Sequence, residues 1–165
     1  MAQDIKIITL DIEKEKDDQF ICGMANFSIY TVDYLFREIV AAAPGIKFGV
    51  AMNEAVPKLV RFNGNDDRLA KLAAKNALAI GASHAFVILM TNAYPIHVLG
   101  ALKNVATVCN ITVASANPVQ IILAETSLGR AILGAVDGQK VTAIENEKQR
   151  QERRDLVKKL GYLLG

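Results

Sequence analysis

The sequence predicts an α/β fold: a single layered domain in which a mixed β-sheet is flanked by helices and followed by a charged C-terminal helix. Three observations carry that expectation. In the middle of the chain, apolar runs of strand length alternate with stretches whose apolar residues recur at helical spacing. Toward the end, three strand-like runs follow one another through short turns, which a purely parallel sheet does not allow. The chain has 165 residues, 52% of them apolar and 22% charged, enough for one domain with a substantial core.

The first strand is expected at Ile5 to Ile12, and the charged tract Glu13 to Asp18 reads as a solvated turn. Gln19 to Asn26 is a second extended run that ends in small residues. Thr31 is expected to cap a helix with Asp33 in its first turn, where a carboxylate meets the positive end of the helix dipole. Val32, Leu35, Phe36, Ile39 and Val40 form its apolar face, and Pro44-Gly45 ends it. Ile46 to Met52 and Leu59 to Phe62 read as paired strands joined by Asn53 to Pro57. Asn63-Gly64-Asn65 marks a turn, with Asn65 the expected cap of a helix that starts at Asp66 and stops at Gly81.

Ala85 to Met90 is too apolar to be exposed on both faces. Pro95 opens a short helix, where the missing N–H costs nothing. Val108 to Ser115, Val119 to Ala124 and Arg130 to Val136 then read as strands. From Ile144 onward the sequence predicts a charged helix with one apolar stripe: Leu156, Val157, Leu160 and Leu163. That stripe suits packing on a neighbouring subunit.

Bulk chemistry excludes several classes. The net charge of +2 and the absence of tryptophan argue against nucleic-acid binding. No apolar window is long enough to span a membrane, and the first residues carry acids where a secretion signal carries bases; the expected location is cytoplasmic. Cys22 and Cys109 are expected as free thiols, and the Cys/His spacings of a zinc site are absent. There is no Walker A loop, no dinucleotide glycine fingerprint, no nucleophile elbow and no His-Glu-x-x-His.

What stands out is the density of polar residues at strand ends between Ala114 and Gly138. Asn117, Glu125, Thr126, Arg130 and Asp137 sit where a sheet stops and a loop meets a ligand. His84 begins an apolar strand just beyond Gly81. A neutral imidazole there is a nucleophile toward phosphorus if a carboxylate orients it, with Glu54, Glu125 and Asp137 as candidates. The alternative is a strand-end histidine satisfied by a backbone carbonyl. Asn53-Glu54 ends a strand and reaches the same cleft, or forms an ordinary polar loop.

The ordered set PGIKFGVAMNEA, LVRFNGND, GASHAFVIL, PIHVLGALKNV, SANPVQIILAET and GRAILGAVDG resembles the adenosine-specific kinase family. That resemblance implies a protein that binds adenosine and AMP, assembled as a trimer or a multiple of one. It also implies that His84 carries a phosphoryl group. In that frame the Asn117 amide suits an adenine edge or a ribose hydroxyl, unless it caps its own turn. Glu125 suits the ribose hydroxyls, and Arg130 suits a phosphate, unless it pairs with Asp137 across a hairpin. ATP and Mg²⁺ are compatible with phosphotransfer, but no motif supports either. Ser83, Gln120, Val113 and His97 depart from the residues usual in the family, which makes His97 the weaker functional histidine. The expected function is therefore an adenosine- or AMP-binding phosphotransferase acting through phosphohistidine. The alternatives are a non-catalytic sensor or a structural oligomer.

Overall fold

The computed structural model describes residues 4–162. The elements run β1 (Lys6–Asp11), β2 (Gln19–Ala25), α1 (Ser28–Ala42), β3 (Lys47–Asn53), β4 (Val60–Gly64), α2 (Asp67–Ile80) and β5 (Ala85–Thr91). They continue with α3 (Pro95–Lys103), β6 (Val108–Ser115), β7 (Val119–Glu125), β8 (Arg130–Asp137) and α4 (Glu147–Lys159). The layered α/β domain and the C-terminal helix are as the sequence predicts. The strands divide between a five-stranded sheet, ordered β4-β3-β5-β2-β6, and a three-stranded sheet, ordered β1-β7-β8. Every pairing within them is antiparallel.

Alternation along the central strands builds two cores from one sheet. Ile21, Phe86, Ile88 and Met90 point toward α1 and α3, where they meet Leu35, Ile39, Val98 and Leu102. Phe20, Cys22, Val87 and Leu89 point the other way, onto α2 and the inner side of the three-stranded sheet through Leu69, Ala73, Ile121 and Leu123. The layers are therefore α1 with α3, then the five-stranded sheet, then α2 beside the three-stranded sheet. Close approach of α2 to β3 depends on Gly49, because a Cβ there would overlap the backbone nitrogen of Ala70.

Three helix starts differ from expectation. Helix α1 begins at Ser28 behind Phe27, which adopts the left-handed conformation (φ 55°) and makes no side-chain cap. Thr31 lies inside the helix, fully buried, and its hydroxyl bonds the Asn26 carbonyl and the Thr107 hydroxyl. At α2 the cap is Asp66, whose carboxylate accepts from the Leu69 N–H at 3.0 Å. The Asn65 amide is committed elsewhere, accepting from Phe48 N–H and donating to the Ile46 carbonyl. Helix α4 starts three residues later than expected, on a reciprocal cap between Asn146 and Gln149. Its expected stripe residue Leu163 lies outside the described residues. No described helix is long and apolar enough to cross a membrane.

Candidate functional site

Helix α2 ends on Gly81, a left-handed cap (φ 65°) whose N–H returns to the Ala77 carbonyl. The chain turns at once through Ala82–Ala85, closed by the Ala85 N–H to the Ala82 carbonyl. His84 occupies the left-handed region (φ 64°) in this turn, a conformation that non-glycine residues adopt at a cost. Two main-chain bonds hold it there. The His84 N–H donates to the Asn53 carbonyl at the end of β3, and the His84 carbonyl accepts from Ala25 at the end of β2, each at 3.0 Å.

Asn53 reinforces the same turn with its side chain, which is only 7% exposed. Its Nδ2 donates to the carbonyls of Ala77 at 2.8 Å and Ala82 at 2.9 Å. Those two bonds fix which way the amide points, because the reverse orientation would set an oxygen against two carbonyls. Its Oδ1 is buried and has no protein partner.

Asn53 also forms part of the wall of a cavity of about 650 Å³, together with Glu54, Lys58, Leu78, Ser83 and Leu128. The β3–β4 loop, the last turn of α2 and the β7–β8 turn thus converge on one hollow. Ser83 and Lys58 escaped the sequence reading. Ser83 drew notice only as a substitution before the histidine, and Lys58 lies in a loop whose path alternating patterns do not define. His84 itself is half-buried and adjoins the wall through Ser83.

The polar groups around the hollow are tightly engaged. Glu54 accepts from Arg61 Nε at 2.6 Å across the β3–β4 hairpin. Arg130 pairs with Glu125 at 2.6 Å, its direct cross-strand neighbour, and not with Asp137. A second guanidinium nitrogen of Arg130 donates to the Ala79 carbonyl at 3.0 Å, which ties the β7–β8 hairpin to the last turn of α2. None of the carboxylates named as orienters of His84 bonds its imidazole: Glu54 and Glu125 hold arginines, and Asp137 is elsewhere.

Asp137 lies at the far end of the molecule. It accepts from the Ser115 hydroxyl and from the Asn117 amide, the latter at 3.0 Å. Ser115 faces Phe20 at the start of β2, whereas His84 is bonded to Ala25 at its end. Five residue steps along β2 separate the two, about 17 Å at the usual rise. The β7–β8 hairpin gives the same answer, with Val119 opposite Asp137 at one end and Glu125 opposite Arg130 at the other. The structure therefore brings together Asn53, Glu54 and the His84 turn, with Glu125 and Arg130 against the same end of α2. Asn117 and Asp137 are not joined to that group within one chain. His97 is a helix-capping residue, its Nδ1 accepting from the Tyr94 N–H at 3.1 Å. Among the described residues no group of three or more His, Cys, Asp or Glu side chains is placed to hold a metal ion.

A family model described as adenosine specific kinase matches residues 10–163. The chain belongs to the adenosine-specific kinase family. That membership supports a nucleoside-related function and makes a nucleoside the expected small-molecule partner. Among solved structures, the crystal structure of the PH1918 protein from Pyrococcus horikoshii OT3 is 55% identical and superposes with a TM-score of 0.94, covering 98% of this chain and 99% of that one. No curated protein matches.

Proposed function

We propose that this adenosine-specific kinase family member binds adenosine or AMP in the cavity beside Asn53 and Glu54 and relays a phosphoryl group through His84, as a cytoplasmic phosphotransferase. The observation that carries the reading is the His84 turn. A non-glycine residue is held at positive φ by two main-chain bonds, next to a cavity of nucleoside size. Packing alone does not require a histidine in that conformation.

The chemistry follows from the wall. Glu54 offers a carboxylate to ribose hydroxyls, Leu78 and Leu128 offer apolar surface to a purine, and Lys58 supplies positive charge for a phosphate. In the transfer, an imidazole nitrogen of His84 forms a bond to the terminal phosphorus of a nucleoside triphosphate while the bridging P–O bond breaks. The nucleoside hydroxyl oxygen then attacks phosphorus, the N–P bond breaks, and the hydroxyl proton leaves to solvent. Asn117 and Asp137 serve this reading only if a second subunit brings its own pair to the cavity.

One observation favours a second reading, a nucleoside sensor without catalysis. The carboxylates that would orient the imidazole are bonded to arginines or lie at the other end of the sheet. The deciding experiment combines calorimetric titration of adenosine and AMP with intact-mass analysis kept away from acid after exposure to ATP. Phosphotransfer requires one added phosphoryl group on the wild type and none on His84→Gln, with nucleoside binding kept in both. Binding without that mass gain selects the sensor, and loss of all binding in the folded wild type refutes both.

A further inference from the structure

The turn that carries His84 also carries a second nucleophile. Of its four residues, Ala82–Ala85, Ser83 is the one that lines the cavity, and it is exposed where His84 is half-buried. The turn does not use its hydroxyl. The Ala85 N–H closes the turn on the Ala82 carbonyl, the main chain of His84 anchors it, and the Asn53 amide braces it. None of those bonds involves the Ser83 side chain, which stands in the wall as an alcohol free to react.

Position keeps the two side chains in one neighbourhood. Ser83 and His84 take the second and third places of the turn, with Cα atoms about 3.8 Å apart across their peptide bond. Strand β5 begins only at Ala85, so the alternation that sends successive strand side chains to opposite faces sets in after this pair. Lys58 in the same wall offers positive charge to phosphoryl oxygens. A phosphoryl group carried by His84 therefore meets an exposed hydroxyl on the neighbouring residue whenever the cavity holds no other acceptor.

We propose that Ser83 is a self-phosphorylation site that takes the phosphoryl group from His84. The inference rests on the phosphotransfer reading above, with a nucleoside triphosphate as the source of the group. In the step, Ser83 Oγ attacks the phosphorus held on the imidazole. The Oγ–P bond forms and the N–P bond breaks; its electron pair returns to the ring nitrogen, which takes the hydroxyl proton. A phosphoramidate is exchanged for the more stable phosphate monoester, so the group is no longer passed to a nucleoside. The product leaves a charge of about −1.5 to −2 on the wall. That charge repels the phosphate of AMP from a cavity that already holds Glu54, and the reaction limits itself.

The two adducts differ in acid: phosphohistidine is hydrolysed and phosphoserine survives. The test is a time course of the full-length chain with ATP and Mg²⁺ and no nucleoside, followed by intact mass at neutral pH and again after acid treatment. The wild type should gain an acid-labile phosphoryl group first and an acid-stable one later, which peptide fragmentation places on Ser83. Ser83→Ala should keep the labile group and lose the stable one, Ser83→Thr should restore a stable one, and His84→Gln should lose both. AMP should bind more weakly to the acid-stable product than to the unmodified chain in calorimetry. A wild type that gains only the labile group overturns the proposal and leaves phosphotransfer standing. So does a stable group on another residue, or one that forms undiminished in His84→Gln. A wild type that gains no group of either kind refutes the phosphotransfer reading, and this site with it.

Discussion

Consider Asn53→Asp, which exchanges an amide nitrogen for an oxygen at constant shape. In the native turn Nδ2 donates two bonds, at 2.8 Å and 2.9 Å, to the carbonyls of Ala77 and Ala82. Each is worth about 1 kcal/mol net, and both become contacts between acceptors. The new charge also sits at a position only 7% exposed, where an uncompensated buried charge costs about 3–5 kcal/mol. The expected loss is about 4 kcal/mol, which lowers Tm by on the order of 10 °C in a chain of this size. Asn53→Ala loses the same two bonds but also removes the buried, unpartnered Oδ1. Both carbonyls keep a main-chain donor, from Gly81 and Ala85, so its cost should be only about 1 kcal/mol. Urea and thermal denaturation of the three proteins at neutral pH measure the order. An aspartate variant within about 1 kcal/mol of the wild type, or one more stable than the alanine variant, would refute the amide orientation.

Other consequences are as open to measurement. Burial pushes the Asp18 carboxyl up, but the bonds and charges of Arg68, the Glu15 N–H and the Lys14 charge outweigh it and hold the group below its usual value. The charged form is therefore favoured in the folded state, so its contribution is full at neutral pH and fades as the pH falls from about 4 through the lowered folded value. Asp18→Asn should cost about 2 kcal/mol at pH 7, and the gap to wild type should close in acid; a gap constant with pH contradicts the pairing. Gly49→Ala forces a methyl group against the backbone of α2 and should cost about 2 kcal/mol or more in denaturant unfolding, whereas an unaffected midpoint would mean that α2 can lift off β3. Burial pushes the Cys22 thiol up to about 12, while Cys109 is exposed. A thiol reagent should therefore modify one cysteine in the native chain and two after denaturation, and rapid reaction of both in the native state would count against the core position of Cys22.

Much of the fold was legible because its signals are local. The run Ala85 to Met90 could only be a buried strand, and it is the central one. Gly81 and Pro95 punctuate helices as their backbone freedom and missing N–H require. The division into two sheets was not legible, because β1 pairs with β7 more than a hundred residues away. Thr31 looked like a cap because a threonine before an apolar run normally is one; here the chain enters α1 through a left-handed Phe27. The candidate site split for a related reason. Polar residues at strand ends were visible, but which ends share a side of the sheet depends on strand direction and register. Thus Asn117 and Asp137 found each other at the far end, while Glu125 and Arg130 reached the end of α2 near the His84 turn without bonding its imidazole.

The two main-chain bonds of His84 make it in effect the first rung of the central strand, between β3 and β2. Displacing its backbone would mean breaking the bonds that tie the start of the central strand to the ends of β3 and β2. Beside the last turn of α2, the rest of the hollow is lined largely by two hairpin tips, with Leu128 almost wholly in solvent. One part of the site is therefore anchored as firmly as the fold itself, while its surroundings carry little of the stability. Substitutions at 55–59 or 126–129 can reshape the entrance without loosening the anchor. The rim of the hollow is therefore free to change shape while the backbone of the histidine keeps its place.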